Sequence, residues 1–255
     1  LNRPPTAVFN QSATTIYTNQ AVTFNASASS DLDGWITTYT WNLGDGNITT
    51  ATTPVVTHVF QKKGTLAIAL TVKDNDGATS SSSSTITVLN RPPIASFTRS
   101  ATTVLTSELI YFNASTSYDP DGTVISYFWT FGDGSNASGI TTTHAYVDNG
   151  VYTVTLKVTD NDGATATTSA TKTVLNRPPV PIFTESAEYV YVGETITFNA
   201  SQSYDPDGFI VSYFWTFGDG TNGTGVVTSH SYSIKGNYTV TLIVTDNDGS
   251  TATTS

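Results

Sequence analysis

Over short runs of this chain, apolar residues recur at every second position. Tyr152, Val154, Leu156 and Val158 alternate with Thr153, Thr155, Lys157 and Thr159, the signature of a half-buried strand. Ile125, Tyr127, Trp129 and Phe131 make a second set, with Ser126, Phe128 and Thr130 facing the other way; Val22, Phe24 and Ala26 make a third. No stretch carries the 3.6-residue period of an amphipathic helix. No apolar run approaches the ~18 residues that span a bilayer, so no membrane insertion is expected within this segment. Short strands with turn signals every 8–12 residues or so, and a Trp on the third strand, predict an all-β, immunoglobulin-like sandwich.

The pattern occurs three times. Leu-Asn-Arg-Pro-Pro begins at Leu1, Leu89 and Leu175, and Gly-Asp-Gly recurs at 44–46, 132–134 and 218–220. Asp-Asn-Asp-Gly recurs at 74–77, 160–163 and 246–249. Residues 89–169 and 175–255 align without gaps at 53 identities in 81 positions. A period of this size is a small domain, not a solenoid unit. The predicted domains are 1–88, 89–174 and 175–255, the last with a shortened final strand. With strands of ~9 residues rising ~3.3 Å each, three modules end to end would make an elongated rod near 100 Å. The chain has no initiator Met and no signal peptide, and its third copy lacks the Lys-Thr-Val-Leu-Asn that closes the second. It therefore reads as an excerpt of a longer or processed protein whose array continues.

Composition narrows the function. Charged residues are 12% of the chain, yet the net charge is -10, and 16 of the 20 acidic residues are Asp. Asp favours turns, caps and metal-binding loops over helices. Ten scattered Lys and Arg on an acidic chain make a poor phosphate-backbone binder, which argues against nucleic acid. Zero Cys excludes disulfides and thiolate chemistry.

Ser-Tyr-Asp-Pro-Asp-Gly, then Tyr-Phe-Trp-Thr-Phe-Gly-Asp-Gly, His-Ala-Tyr, and Val-Tyr-Thr-Val-Thr-Leu-Lys-Val-Thr-Asp-Asn-Asp-Gly resemble the PKD (polycystic kidney disease) domain over essentially the whole chain. The first copy departs from it at Leu32, at Trp41-Asn42-Leu43 and at Phe60, keeping the apolar phase. The resemblance implies an extracellular β-sandwich, used in tandem in surface proteins and as an accessory module of secreted proteases and polysaccharide-degrading enzymes. Cys-free tandem copies of this kind look prokaryotic, and an archaeal cell surface is the expectation drawn from them.

Strand parity places the Ser-x-Asp-x-Asp-Gly loop, the Asp-Asn-Asp-Gly hairpin and the entering linker at one end of each sandwich. Asn90, Asp119, Asp121 and Asp160 are expected to converge at the first junction, and Asn176, Asp205, Asp207 and Asp246 at the second. Asn2, Asp31, Asp33 and Asp74 would form a third, lacking an upstream module. Clustered carboxylates repel unless a cation sits among them. Oxygen-only ligands on loops suit Ca²⁺, and some members of the resembled family bind calcium at a comparable place. Two other readings stand beside it: the aspartates are turn chemistry, or Arg3, Arg91 and Arg177 neutralise them directly.

Eight Asn-x-Ser/Thr sequons, at Asn10, Asn25, Asn47, Asn113, Asn136, Asn199, Asn222 and Asn237, are candidate glycosylation sites. Those just past Gly-Asp-Gly persist although their letters change. Phe128 and Phe214 face away from their own cores and are candidate surface contacts for glycans or other chains. His58, His144 and His230 share one strand position, which marks packing or turn-holding, and no catalytic triad can be assembled from them. The segment is read as a non-catalytic, extracellular structural or adhesive stalk of a surface-layer, sheath, filament or adhesin protein. Its expected partners are other surface-protein chains or glycans, with self-assembly. The alternative is an accessory, substrate-orienting region of a secreted protease or polysaccharide-degrading enzyme.

Overall fold

The computed structural model describes residues 2–255, and every regular element among them is a β-strand. The first copy contains β1 (Asn10–Gln11), β2 (Thr15–Tyr17), β3 (Ala21–Asn25), β4 (Ile36–Asn42), β5 (Ile48–Ala51), β6 (Val55–Val59), β7 (Gly64–Asp74) and β8 (Thr79–Leu89). They form two sheets, ordered β1-β3-β6 and β2-β8-β7-β4-β5. β2 runs parallel to the end of β8, while β7 pairs antiparallel with both β4 and β8. This is an immunoglobulin-like sandwich.

Its core follows from the period of two, since alternate side chains of a strand point to one face. Val22 and Phe24 of β3, Trp41 of β4, Ile68, Leu70 and Val72 of β7, and Ile86 and Val88 of β8 are buried in one cluster. Each such side chain contributes roughly 1.5–3 kcal/mol on burial. Phe9 meets Trp41 edge-on at 5.2 Å, and the third copy repeats this with Phe183 and Trp215 at 5.3 Å. The third copy also repeats the three-stranded sheet, as Thr184–Glu185, Ile196–Asn199 and Val227–His230.

By internal contact the chain forms two compact units. One takes in the chain through Ser96 with Ala114–Phe128 and Leu156–Thr168; the other comprises Phe97–Asn113, Trp129–Thr155 and Ser169–Ser255. Each junction between consecutive copies therefore lies inside one unit.

Two polar tethers distinguish the later copies from the first. The Trp129 and Trp215 indole N–H groups donate to the carbonyls of Gly139 and Gly225 at 2.9 Å, and the Tyr146 and Tyr232 hydroxyls donate to the carbonyls of Phe131 and Phe217 at 2.9 Å. In the first copy Phe60 has no hydroxyl, and the buried Trp41 Nε1 has no hydrogen-bond partner. The second copy has its own irregularity: Lys172 stands where the first has Ile86. It is fully buried and donates from Nζ to the Ala101 carbonyl at 2.8 Å. Burial, and then the nearby Arg99 charge, pull its amine below the usual lysine range.

The Gly-Asp-Gly turn needs its first glycine for two reasons. Gly132 has φ +88°, and a Cβ there would lie 2.8 Å from both the N and the O of Thr153. Gly134 has φ +93° but open space around it. Gly134→Ala is expected to cost about 1–2 kcal/mol, the left-handed penalty alone. Gly132→Ala should cost measurably more in the same urea titration.

Candidate functional site

Each copy builds its acidic end around one buried carboxylate. Asp160, at the head of the Asp-Asn-Asp-Gly hairpin, is fully buried. Its Oδ1 accepts the backbone N–H groups of Asp162 and Ala164 at 2.9 and 2.8 Å, which closes the hairpin. Its Oδ2 accepts Asn90 Nδ2 at 2.8 Å, which pins the entering linker. Asp74 with Asn2, at 2.9 Å, and Asp246 with Asn176, at 2.7 Å, repeat the arrangement.

The neighbouring loop is held by the hairpin's second residue. Asn161 Oδ1 accepts the Thr123 N–H at 2.7 Å. This crosses so close to Gly122 that a Cβ there would lie 2.2 Å from Asn161 Oδ1 and 2.6 Å from Asp119 Oδ2. Asp121 lies at the junction itself. Its Oδ2 accepts the Arg91 N–H at 3.0 Å and a short hydrogen bond from the Thr18 hydroxyl of the preceding copy. Arg91 Nε in turn donates to the Thr18 carbonyl at 2.7 Å. Asn19 Nδ2 reaches the Pro120 carbonyl at 3.5 Å, and Lys63 pairs with Asp162.

The second junction uses the same residues one copy on. Asp207 Oδ2 accepts the Arg177 N–H at 2.9 Å and the Thr106 hydroxyl at 2.5 Å, and Arg177 Nε donates to the Thr106 carbonyl at 3.0 Å. Ahead of the first copy, Asp33 keeps the Arg3 N–H at 3.0 Å but is exposed. The third copy carries Val192-Gly193 where the others have Thr18-Asn19 and Thr106-Ser107. The positions match in conformation: φ is +61° at Asn19 and Ser107 and +88° at Gly193.

Within each predicted set the linker asparagine meets the hairpin aspartate, and the two loop aspartates lie beside each other. The hairpin aspartates Asp74, Asp160 and Asp246 turn one oxygen to the hairpin and the other to the linker asparagine. The arginines meet the cluster mainly through their backbone N–H groups, which bond Asp33, Asp121 and Asp207, while at both junctions Nε is turned to a threonine carbonyl; their charges still help hold Asp121 and Asp207 low. What remains is a set of buried oxygens with no hydrogen-bond partner: both of Asp31, Asn90 Oδ1, Asp119 Oδ2, Asp121 Oδ1, Asn176 Oδ1, both of Asp205, and Asp207 Oδ1. Leaving such acceptors buried and unpaired is costly. All are oxygens, from two carboxylates and, at the two junctions, one amide, a donor set that suits a hard cation. Among the described residues no three or more His, Cys, Asp or Glu side chains are arranged to hold a metal. The third donor at each junction would therefore be the asparagine.

The electrostatics divide each pair. Burial first, then the adjoining carboxylates, raise Asp31, Asp119 and Asp205 above the usual range. Against the upward pull of burial, the Thr18 hydroxyl and the Arg91 N–H hold Asp121 below it; Thr106 and Arg177 do the same for Asp207.

At the other end of each copy the histidines hold the Gly-Asp-Gly turn. His58, His144 and His230 Nε2 lie 2.7, 2.6 and 2.8 Å from Oδ2 of Asp45, Asp133 and Asp219. His144 and His230 also stack on Phe131 and Phe217 at 4.2 Å. Of the sequon asparagines, Asn10, Asn47, Asn113, Asn136, Asn222 and Asn237 are exposed; Asn25 and Asn199 are half-buried, each accepting a backbone N–H two residues on. Phe128 and Phe214 are 41% and 39% exposed.

Sequence reasoning missed Thr18 and Thr106. Their only signal is recurrence at the same offset before a shared turn, in a chain rich in threonine.

These features define a tandem array of immunoglobulin-like sandwiches joined through acidic loops. The PKD domain family model matches residues 2–88, 90–174 and 176–255, and the chain belongs to that family. It is 33% identical over 170 residues to the pre-pro-metalloprotease PrtV of Vibrio cholerae serotype O1, covering 67% of this chain and 18% of that protein. It is 32% identical over 236 residues to the human dyslexia-associated protein KIAA0319, covering 84% of this chain and 22% of that protein. The chain thus spans about a fifth of the length of these relatives. The PKD1 domain of Vibrio anguillarum Epp is similar at 36% identity, covering 34% of this chain and 96% of that one, with a TM-score of 0.30. These relatives are bacterial and human, and lend nothing to the archaeal expectation.

A pH dependence follows from the turn. Hydrogen bonds from Thr221 first, opposed by burial, and then one from His230 lower Asp219 from the ordinary 3.8 to about 2. A depressed carboxylate contributes stability above its unfolded value and loses it as pH falls through its folded one. Wild-type stability should therefore drop between about pH 4 and pH 2 more steeply than that of Asp219→Asn, measured by urea unfolding across that range.

Proposed function

We propose that the chain is a non-catalytic, extracellular stalk whose PKD modules are held in fixed register by their junctions. The observation that carries this reading is the hydrogen-bond exchange between Thr18 and the Asp121–Arg91 pair, repeated by Thr106 with Asp207 and Arg177. A flexible linker would not need a side chain of one module to satisfy a half-buried carboxylate of the next. The double proline that follows each arginine adds stiffness of its own.

Calcium belongs to this proposal. Asp119, Asp121 and Asn90 would hold it at the first junction, and Asp205, Asp207 and Asn176 at the second, through oxygens that otherwise have no partner. The cation would neutralise the paired carboxylates and so strengthen the lock. Glycans on the exposed sequons and contacts through Phe128 and Phe214 would suit a surface-exposed chain.

A second reading, an accessory region of a secreted hydrolase, is favoured by the similarity to a metalloprotease. The two readings differ in what surrounds these modules, and imaging of native material separates them: filaments or a surface layer for the stalk, dispersed enzyme for the accessory region.

Millimolar Ca²⁺ should raise Tm by several degrees, as binding to the folded state alone requires, and EDTA should reverse it. Asp119→Asn with Asp205→Asn should abolish the response. An unchanged Tm on adding EDTA to calcium-loaded protein overturns the calcium part. The junction part is checked by Thr18→Val with Thr106→Val: small-angle scattering should show a wider spread of intermodule angles, with each module's unfolding unchanged.

A further inference from the structure

The sequons that follow the Gly-Asp-Gly turns are not placed alike. In the third copy the edge strand Asn222–Thr224 pairs with Ile210–Thr216. Phe214 lies opposite Thr224, Trp215 opposite Gly223 and Thr216 opposite Asn222. Trp215 is buried, and Gly223 faces inward with it: a Cβ there would lie 3.0 Å from the Phe217 ring and 2.9 Å from Thr228 Oγ1. By alternation, Asn222 and Thr224 point outward, onto the face that carries Phe214. Across the same face Ile243 lies opposite Phe214, and Thr241 opposite Thr216. Asn222 is exposed, and among the described residues its side-chain amide has no hydrogen-bond partner.

The first copy is built differently at both positions. Its sequon starts one residue earlier, and Asn47 belongs to the turn: its N–H donates to Asp45 Oδ1 at 3.0 Å and its Nδ2 to Asp45 Oδ2 at 3.4 Å. In the third copy Thr221 has that place, donating its N–H to Asp219 Oδ1 at 3.0 Å. Thr40 stands where the third copy has Phe214, its hydroxyl bonded to that of Thr50 at 3.0 Å. In the second copy Phe128 and Asn136 are again eight residues apart, as Phe214 and Asn222 are. The aromatic residue and the later sequon are thus present together in two copies and absent together in one.

We propose that Asn222 is N-glycosylated and that its first sugar stacks on Phe214, the ring serving as the platform that orders the glycan. Asn222 and Phe214 are diagonal neighbours across a strand pair, about 7–8 Å apart and within reach of long side chains. An amide lengthened by one pyranose is such a side chain. The C–H face of the sugar meets the face of the ring, its hydroxyls meet Thr216 and Thr241, and the apolar strip of Phe214 and Ile243 is covered. In the transfer, Asn222 Nδ2 forms a bond to the anomeric carbon of a sugar carried on a lipid pyrophosphate. The carbon–oxygen bond to the pyrophosphate breaks, the pyrophosphate leaves with the electron pair, and the amide gives up one proton. Donor and transferring enzyme belong to the secretory pathway. The proposal rests on the extracellular reading above, and on the part of it that stalk and hydrolase region share.

The test passes the 255-residue chain through a eukaryotic N-glycosylating secretory pathway and trims each glycan to its first N-acetylglucosamine. Peptide mass spectrometry then reads occupancy at Asn222, and proton NMR reads the attached sugar, assigned by its loss in Asn222→Gln. Asn222 should be occupied, with its sugar protons shifted upfield by the ring. The shift should vanish in Phe214→Thr and persist in Phe214→Tyr. Phe214→Thr is expected to fold, since Thr40 holds the same place in the first copy. An unoccupied Asn222, or sugar protons that Phe214→Thr leaves unmoved, overturns the proposal. Neither result bears on the stalk reading, which imaging of native material decides.

Discussion

Asp74, Asp160 and Asp246 each bury a carboxylate whose two oxygens do different things. One folds the chain back on itself by accepting two backbone N–H groups of its own hairpin. The other accepts the amide of an asparagine about seventy residues earlier, at the point where the linker enters the module. Once that asparagine is fixed, the next residue is an arginine whose N–H meets the second aspartate of the facing loop. That aspartate is then in place to take a threonine hydroxyl from the module before. A local turn thus sets the direction from which the neighbouring module arrives, and the rest of the junction depends on it.

The acidity of the chain acquires a location in this light. Twelve of its 16 aspartates lie in the paired loops at the linker end, four per copy, and three more sit in the Gly-Asp-Gly turns. In the turns each charge faces a histidine. At the linker end the hairpin aspartates are satisfied by N–H donors, and the strain falls on Asp31, Asp119 and Asp205, which are half-buried beside a second carboxylate and have no cationic partner at hydrogen-bond distance. Unpaired oxygens thus gather at the linker end of every copy: on Asp31 in the first, and on an asparagine and two aspartates at each seam between copies.

Much of this could be read from the residues. Alternation such as Tyr152-Val154-Leu156-Val158 specifies a strand and its inner face with no knowledge of the partner strand. The repeated Gly-Asp-Gly and Asp-Asn-Asp-Gly mark hairpins that reverse direction, and parity then brings Asp119, Asp121 and Asp160 to one end. What could not be read is which acceptor meets which donor. Asp119, Asp121 and Asp160 are chemically the same, and only the fold gives Asp160 two backbone donors while Asp119 has an oxygen with none. Thr18 and Thr106 were hidden by abundance, in a chain with 49 threonines. Lys172 was hidden by a rule that usually serves well, since a lysine in an alternating strand normally marks the outer face.

The copies share a fold and most of their letters, yet they are not interchangeable. Val192 has no hydroxyl to offer, so the third copy, placed before another, could not complete that copy's aspartate as the first two do for their successors. A copy set behind Val192 would lack that hydrogen bond while its own sandwich still folded. The hydroxyl that completes each seam is thus supplied by the copy before it, independently of the cores that fold each sandwich.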